Sequence, residues 1–269
     1  PSTKTSIDKL ESFGNVCIPA ESGELASGLV GEGRMAEPEG IVRFIVQDIL
    51  GQLPLHGKKV VITAGPTYEA IDPVRFIGNH SSGKMGFELA KVAANLGAQV
   101  SLISGVSNEQ INHSLVNRID VVSAQEMYEV AHKNFDDASI VIASAAVADY
   151  KPKHVSDIKI KKNDAQMSIE LEKTQDILAS LGKIKTNQYL VGFALETNNE
   201  LENAKGKLKR KNLDLIVLNS LNDRGAGFKK GTNKVSIIDK SEKISEFALK
   251  SKAEVAKDIF KEILERIDG

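Results

Sequence analysis

The sequence predicts an α/β protein with a Rossmann-like, doubly wound, mostly parallel sheet and a β-flap excursion from that sheet. Three observations carry this prediction. Short apolar, β-branched runs alternate with segments of helical periodicity, the first run ends at Gly65 and Pro66, and a lysine-rich segment at 150–173 interrupts the alternation. Short buried strands that alternate with helices are typical of βαβ units and a parallel sheet. The ligand of such a sheet lies at the carboxyl ends of its strands.

The composition narrows the class of protein. The chain has 269 residues, with 35 Lys and Arg against 36 Asp and Glu, so its net charge of −1 predicts no nucleic-acid partner. Its single cysteine, Cys17, excludes an intrachain disulfide and favours a cytoplasmic compartment. No apolar stretch approaches the ~20 residues of a membrane-spanning helix. The first residue is Pro1, not Met, which favours a piece of a longer protein.

The first 53 residues differ from the rest. Residues 1–40 contain six glycines and no long periodic segment, which predicts loops rather than an independent core. Residues 41–53 have the apolar spacing of a short amphipathic helix, and 54–58 form a linker.

From residue 59 the predicted elements follow one another regularly. Gly97 marks the end of the first long helix, and the alternating segment 167–172 is the flap. The predicted elements are strand 60–64, helix 83–96, strands 99–104 and 118–122, helix 124–132, strand 139–143, flap 150–173, strand 189–194, helix 200–211, strands 213–218 and 234–238, and helix 245–267.

A glycine- and serine-rich loop at 78–86 is the strongest local signal. Such a loop at the start of a helix offers backbone N–H groups and a helix dipole to a phosphate. It has neither the Walker A spacing nor the G-x-G-x-x-G pattern. The alternative is an ordinary loop in which Asn79 and Ser82 are turn and cap residues, and the residues alone leave both open.

Two further segments have the composition of a binding site. Small residues at 143–148 precede Asp149, so that a planar ligand could lie against backbone; the alternative is tight helix–sheet packing. Lys207 and Lys211 lie four residues apart on one helix face, where they could hold phosphates or form a solvated surface. The histidines lack metal-ligand spacing. The residues alone therefore indicate an α/β enzyme that binds a nucleotide or phosphate.

Five ordered motifs resemble bacterial phosphopantothenate–cysteine ligase, over about residues 58–267. They are 62–67 with 71–86, 145–150, 159–162, 191–198 and 211–214. The resemblance implies an enzyme that activates 4′-phosphopantothenate with CTP and Mg²⁺, releases pyrophosphate, and transfers the acyl group to the amine of L-cysteine. The products would be 4′-phosphopantothenoylcysteine and CMP. It also implies a homodimer formed through this domain, while the Mg²⁺ ligands stay unassigned.

The resemblance also implies roles for individual residues. Asn79 would handle the acyl-cytidylate and Lys159 would reach the nucleotide from the flap, which makes these two the predicted catalytic residues. The residues predicted to bind CTP are Ala143, Ser144, Ala145, Asp149, Lys159, Gln175, Asp176, Ile177, Leu178, Phe193, Lys207 and Lys211.

Residues 23–38 carry a second resemblance, to the substrate clamp of phosphopantothenoylcysteine decarboxylase. Ser27 stands where many members of that family have a catalytic Cys, and the flavin-binding part would precede Pro1. The two resemblances predict a decarboxylase tail and linker at 1–53 and a ligase domain at 54–269. They imply no decarboxylase activity for this chain, and FMN only in the missing upstream domain.

Two alternatives belong to other functional classes. A short-chain-dehydrogenase-like NAD(P) oxidoreductase would need a Tyr-x-x-x-Lys pair, and no tyrosine here has Lys four residues later. A non-catalytic partner would instead dock its clamp fragment onto a separate flavoprotein decarboxylase.

Overall fold

The computed structural model describes residues 2–24, 29–161, 167–196, 198–220 and 231–267. The chain forms two compact units, Pro1–Leu53 and Pro54–Gly269. Among the described residues, no helix combines the length and the apolar character needed to cross a membrane.

The first unit has four elements. They are helix α1 (Ser2–Ser12), strands β1 (Glu21–Glu24) and β2 (Val30–Arg34), and helix α2 (Pro38–Gly51). The strands form an antiparallel hairpin, although this stretch was predicted to be loops. Helix α2 was predicted from residue 41 but begins at Pro38, because proline fits the first turn of a helix. Ser27 of the predicted clamp lies outside the described residues, and the clamp stays a prediction.

The second unit contains the other elements. They are β3 (Lys59–Ala64), β4 (Tyr68–Ala70), β5 (Phe76–Gly78), α3 (Lys84–Asn95), β6 (Gln99–Ser104), β7 (Val116–Asp120), α4 (Ala124–Lys133), β8 (Ile140–Ala143), β9 (Tyr150–Pro152), β10 (Leu171–Lys173), α5 (Ile177–Ile184), β11 (Tyr189–Glu196), α6 (Glu200–Arg210), β12 (Leu215–Ser220), β13 (Thr232–Asp239), β14 (Ile244–Ser251) and α7 (Lys252–Ile267).

Eight strands form the main sheet, in the order β14-β13-β12-β11-β8-β3-β6-β7. The six strands from β12 to β7 run parallel, and β13 and β14 are antiparallel at one edge. The predicted Rossmann-like, mostly parallel sheet is confirmed. The sheet order changes direction at β3 and β8, which is where a doubly wound sheet opens a crevice for a ligand.

Helices cover both faces of this sheet. Helices α3 and α7 pack on one face through side chains such as Phe87, Leu89 and Phe260. Helices α4, α5 and α6 cover the other face, where Met127 and Leu208 are buried. Each fully buried leucine or phenylalanine contributes about 1.5–3 kcal/mol to folding. The two apolar layers therefore fix the strand ends rigidly relative to the helices that follow them.

The predicted C-terminal helix is wrong in its first part. Residues 244–251 form β14, which pairs antiparallel with β13, and the helix begins only at Lys252. Ser251 explains the boundary. Its hydroxyl accepts a hydrogen bond from the N–H of Glu254, whose carboxylate accepts one in turn from the N–H of Ser251. This Ser-x-x-Glu capping box is visible in the sequence.

The flap lies outside the main sheet, as predicted. Strands β9 and β10 pair antiparallel, and ion pairs join Lys151 to Glu172 and Lys153 to Glu170 across them. Strand β10 takes up only Leu171–Lys173, so the predicted alternating strand at 167–172 is shorter than expected.

Candidate functional site

A cleft of about 780 Å³ lies at the carboxyl ends of the central strands. Its lining includes Thr63 at the end of β3, Ala143 at the end of β8, and Phe193 on β11. A cleft of this volume is typical of a site for a small ligand.

Two glycines shape the loop that opens helix α3 on one side of this cleft. Gly83 has a φ of +84°, and a Cβ there would lie 3.2 Å from the backbone of Gly65. A Cβ on Gly86 would lie 2.4 Å from the Cβ of Ala64. Glycine at these positions lets the helix start lie directly against the end of β3. The N-cap residue of helix α3, Gly83, has no side chain, and the Lys84 N–H donates to the Ser82 hydroxyl at 3.4 Å. The N–H groups that follow and the helix dipole are available to an anion.

Asn79 joins this loop to the neighbouring wall of the cleft. Its side-chain amide donates hydrogen bonds to the carbonyls of Ala146, at 2.9 Å, and Val147, at 3.3 Å. Asn79 is therefore both a structural residue of the loop and part of the cleft lining. The geometry is compatible with either of the two roles considered for this residue.

Small residues form the wall that Asn79 contacts. The Ser144 hydroxyl donates to the Thr63 carbonyl at 2.7 Å, and the Ala145 N–H donates to the Thr63 hydroxyl at 3.3 Å. These bonds hold 143–147 close to β3 without filling the cleft. Asp149, which is exposed, follows this wall and also lines the cleft.

A cationic pair, Lys207 and Lys211, lies on the opposite side. The Lys207 ammonium donates to the Phe193 carbonyl at 2.7 Å, and Lys211 forms an ion pair with Asp176 at 2.7 Å. Burial, together with the positive charge of Lys211, lowers the pKa of Lys207. For Asp176, burial acts to raise the pKa, but the hydrogen bonds from Lys211 and Ala179 outweigh it and the pKa is lowered.

A second cationic pair, Lys84 and Lys252, also lines the cleft and was missed from the sequence. Lys84 begins helix α3 and Lys252 begins helix α7. The signal for Lys84 was its place in the predicted phosphate loop. The signal for Lys252 was the capping box of Ser251 and Glu254, which marks Lys252 as the first residue of α7. This signal was overlooked because the C-terminal helix was predicted to begin at residue 245. Asn219 and Asn233 line the same region.

The structure brings nearly all the predicted site residues together. Those that line the cleft are Asn79, Ala143, Ser144, Ala145, Asp149, Gln175, Asp176, Ile177, Leu178, Phe193, Lys207 and Lys211.

Lys159 is the exception. It is exposed and lies outside the cleft lining, although it was predicted to be both catalytic and nucleotide-binding. Its neighbour Ile160 is held elsewhere: the Ile160 N–H donates to Asp72, and Arg75 donates to the Ile160 carbonyl at 2.7 Å. The hydrogen bond from Arg75 also keeps the pKa of Asp72 well below its usual range.

No cluster of three or more potential metal ligands occurs among the residues described, so the Mg²⁺ ligands stay unassigned.

Comparisons with known proteins identify the family. Residues 55–267 match the family model of the DNA/pantothenate metabolism flavoprotein C-terminal domain. A prokaryotic protein named cysteine/cysteine sulfinic acid decarboxylase is 54% identical over 98% of this chain and 75% of its own length. The coenzyme A biosynthesis bifunctional protein CoaBC of Bacillus subtilis is 47% identical over 98% of this chain. This chain spans 65% of that protein's length.

Solved structures share the fold. The C-terminal domain of a CoaBC protein has a TM-score of 0.69 and 42% identity, and the match covers 81% of this chain and 99% of that one. A DNA/pantothenate metabolism flavoprotein from Streptococcus pneumoniae has a TM-score of 0.67 at 23% identity, covering 77% of this chain and 97% of that one. A Cab2 mutant in complex with phosphopantothenate-cysteine has a TM-score of 0.64 at 18% identity, covering 87% and 95%. The last two show the fold alone.

These names overturn the predicted activity. None of the proteins just described is named a ligase, and the relative at 54% identity is named a decarboxylase. Neither alternative, dehydrogenase-like or non-catalytic, matches these names. The cofactor prediction changes too, because the family is described as part of a flavoprotein. The prediction of CTP and Mg²⁺ was therefore wrong, since the description names a flavoprotein. The five motifs were interpreted as those of a ligase family, and this interpretation was wrong, because the family model that matches is described as a flavoprotein domain. A bifunctional relative has two activities, which the motifs alone did not separate.

Proposed function

Because this chain belongs to the DNA/pantothenate metabolism flavoprotein C-terminal domain family, we propose that it acts in coenzyme A biosynthesis on phosphopantothenate-cysteine. Its relatives named CoaBC support the pathway. A neighbour of the same fold, the Cab2 mutant, is described as a complex with phosphopantothenate-cysteine, and the choice of this ligand for the present chain rests on the cleft itself. The single free cysteine is consistent with a cytoplasmic protein.

The charge of the cleft is the observation that carries this proposal. Five lysines and two aspartates line it, an excess of three positive charges: Lys84, Lys173, Lys207, Lys211, Lys252, Asp149 and Asp176. Phosphopantothenate-cysteine carries a phosphate monoester of about −1.5 to −2 and a carboxylate, at opposite ends of a long chain. A cleft with separate cationic pairs suits a ligand with two separate anionic ends.

The two pairs belong to helices on opposite faces of the sheet. Lys84 and Lys252 begin α3 and α7, which cover one face. Lys207 lies on α6, which covers the other, and Lys211 follows the end of that helix. The small-residue wall at 143–147 lies between these groups along the strand ends, where it leaves room for the uncharged middle of the ligand.

The family description also names a flavoprotein, and the residues present fit the two parts of FMN. The small side chains at 143–147 leave space for a planar ring, and Lys207 and Lys211 offer ammonium groups to a phosphate, so FMN would compete with phosphopantothenate-cysteine for this part of the cleft. When bound, FMN supplies a two-electron acceptor. The residues of this chain would bind FMN and orient its ring. Titration of the protein into FMN, followed by flavin fluorescence, measures this binding directly.

The decisive experiment is a calorimetric titration of the full chain with 4′-phosphopantothenoylcysteine. We expect Lys207→Ala to weaken binding at least tenfold, because a charge-assisted hydrogen bond contributes about 1.5–3 kcal/mol. The matched control is Lys209→Ala on the same helix, since Lys209 pairs with Glu242 instead and is exposed. The control should bind like the wild type. A wild-type protein that does not bind this compound would refute the proposal.

The name of the 54%-identical relative directs the reaction assay to the cysteine carboxylate. Decarboxylation releases CO₂ from this group, so CO₂ release from the same compound is measured with and without added FMN. A bound compound recovered unchanged would show that this chain binds it without decarboxylating it.

A further inference from the structure

We propose that Lys84, Lys252 and Asn233 form a subsite that holds the phosphate monoester end of the ligand. This inference rests on the proposed function and names the part of the cleft that recognises the phosphate. None of the five sequence motifs includes Lys252 or Asn233.

Lys252 is a mostly buried residue that lines the cleft. It is 6% exposed, and among the described residues no carboxylate forms an ion pair with its ammonium group. Burial, reinforced by the charge of Lys84, lowers its pKa. The one carboxylate whose charge acts favourably on it, Glu109, forms no ion pair with it. An uncompensated buried charge is unfavourable, and an anionic ligand would supply the missing counter-charge.

Asn233 is the second unpartnered group. It is 3% exposed, and its side-chain oxygen has no hydrogen-bond partner among the described residues. Its amide nitrogen makes only a long contact of 3.8 Å with the sulfur of Met85, the second residue of α3. Rotation of the amide would present either its NH₂ or its oxygen to a ligand. Asn219, on the adjacent strand β12, also lines the cleft and has a buried side-chain oxygen without a described partner.

Helix α3 supplies the remaining donors. It is 12 residues long and begins at Lys84, whose N–H donates to the Ser82 hydroxyl, so the donors it offers are the N–H groups of the residues that follow Lys84. Helix α7, in contrast, is capped by Ser251, so it contributes the Lys252 ammonium rather than free N–H groups. Two ammonium groups, a helix N-terminus and asparagine amides suit a dianion with three terminal oxygens better than a carboxylate with two.

This subsite is distinct from the pair on the other side of the cleft. Lys84 and Lys252 begin helices α3 and α7, which cover one face of the sheet. Lys207 lies on α6, which covers the other face. The phosphate and the carboxylate of one ligand can therefore be recognised independently.

The test compares phosphorylated and dephosphorylated ligands by calorimetry, in a buffer free of phosphate. Wild-type protein should bind 4′-phosphopantothenoylcysteine at least 100-fold more tightly than pantothenoylcysteine. Lys252→Met should reduce this ratio at least tenfold while leaving the affinity for pantothenoylcysteine unchanged. Lys250→Met is the matched control, because Lys250 pairs with Asp258 at 2.7 Å and does not line the cleft. It should keep the wild-type ratio.

Inorganic phosphate gives a second readout that does not depend on the ligand. It should raise the Tm of the wild type and of Lys250→Met but not that of Lys252→Met, because a ligand stabilises only a folded state that binds it. If Lys252→Met unfolds, Lys84→Ala is tested in the same way.

The outcomes separate the two proposals. If the wild type binds neither compound, the proposed function fails. If it binds 4′-phosphopantothenoylcysteine and the variants keep the wild-type ratio, the proposed function stands and the phosphate subsite is overturned.

Discussion

Asp176 both caps helix α5 and holds Lys211. One of its oxygens accepts a hydrogen bond from the Ala179 N–H at 3.0 Å, and its carboxylate lies 2.7 Å from the Lys211 ammonium. A helix cap and a cationic group of the cleft thus depend on one side chain. Helix α5 and the end of α6 are therefore coupled at the side of the cleft that Lys207 and Lys211 line.

We predict that two substitutions of Asp176 distinguish its role as the cap of α5 from its role as the partner of Lys211. Asp176→Asn keeps a side-chain oxygen that can cap and loses only the ion pair with Lys211, so the free energy of unfolding should fall less than in Asp176→Ala. Asp176→Ala loses the cap and should be destabilised by ~1 kcal/mol. Both substitutions remove a negative charge beside Lys211, and both should bind 4′-phosphopantothenoylcysteine more tightly than the wild type. Urea denaturation and calorimetry measure these quantities. Weaker binding in both variants would show that the ligand contacts Asp176 itself.

The ion pair also predicts a pH dependence. The pKa of Asp176 is lowered in the folded protein from its ordinary value of 3.8, so its contribution to stability is fully present above pH 3.8. The contribution is lost as the pH falls below 3.8 and through the folded-state value. The stability difference between the wild type and Asp176→Asn should therefore shrink below about pH 4. A difference that stays constant from pH 6 to pH 3 would contradict this.

Gly86 should not tolerate a side chain. A Cβ at this position would lie 2.4 Å from the Cβ of Ala64 and 2.8 Å from the Ser144 hydroxyl, so helix α3 would have to move away from β3. Gly86→Ala should lower the free energy of unfolding by about 1–3 kcal/mol, as overpacking does, and weaken phosphate binding. Gly206→Ala is the control, because its nearest neighbour is the flexible end of Arg210 on the same helix. It should be neutral or slightly stabilising.

Much of the fold followed from the pattern of apolar residues. Strands such as β3 are buried along most of their length, and their continuous apolar runs have few other interpretations. Strand β14 was missed because it is an edge strand whose residues are mostly half-buried or exposed, and its apolar residues are compatible with a helix. The hairpin of β4 and β5 was missed because each strand has three residues.

The site was predictable where its residues lie close together in the sequence or in one motif. Asn79 and the wall at 143–147 are of this kind. Lys252 is separated from Lys84 by more than half of the chain, and only the packing of α7 against α3 brings them together. Lys159 was predicted from a motif, and its role stays a prediction. It lies outside the cleft lining, where Asp72 and Arg75 hold the backbone of the neighbouring Ile160.

The last prediction concerns a buried tyrosine outside the cleft lining. The Tyr189 hydroxyl has no hydrogen-bond partner among the described residues, and burial, together with the nearby carboxylate of Asp214, raises the pKa of this phenol. A buried donor without a partner costs about 1–3 kcal/mol, and Tyr189→Phe removes it while keeping the ring, which packs against the apolar core on the face that α3 and α7 cover. We therefore expect Tyr189→Phe to be as stable as the wild type or more stable by up to about 1–3 kcal/mol, with unchanged ligand affinity.

Tyr150→Phe is the control for the substitution itself, because Tyr150 is exposed and its hydroxyl is free to bond with water. Thermal and urea denaturation of both variants measure the effect. A Tyr189→Phe protein that is clearly less stable would mean that the hydroxyl has a favourable interaction in solution, with bound water as its partner.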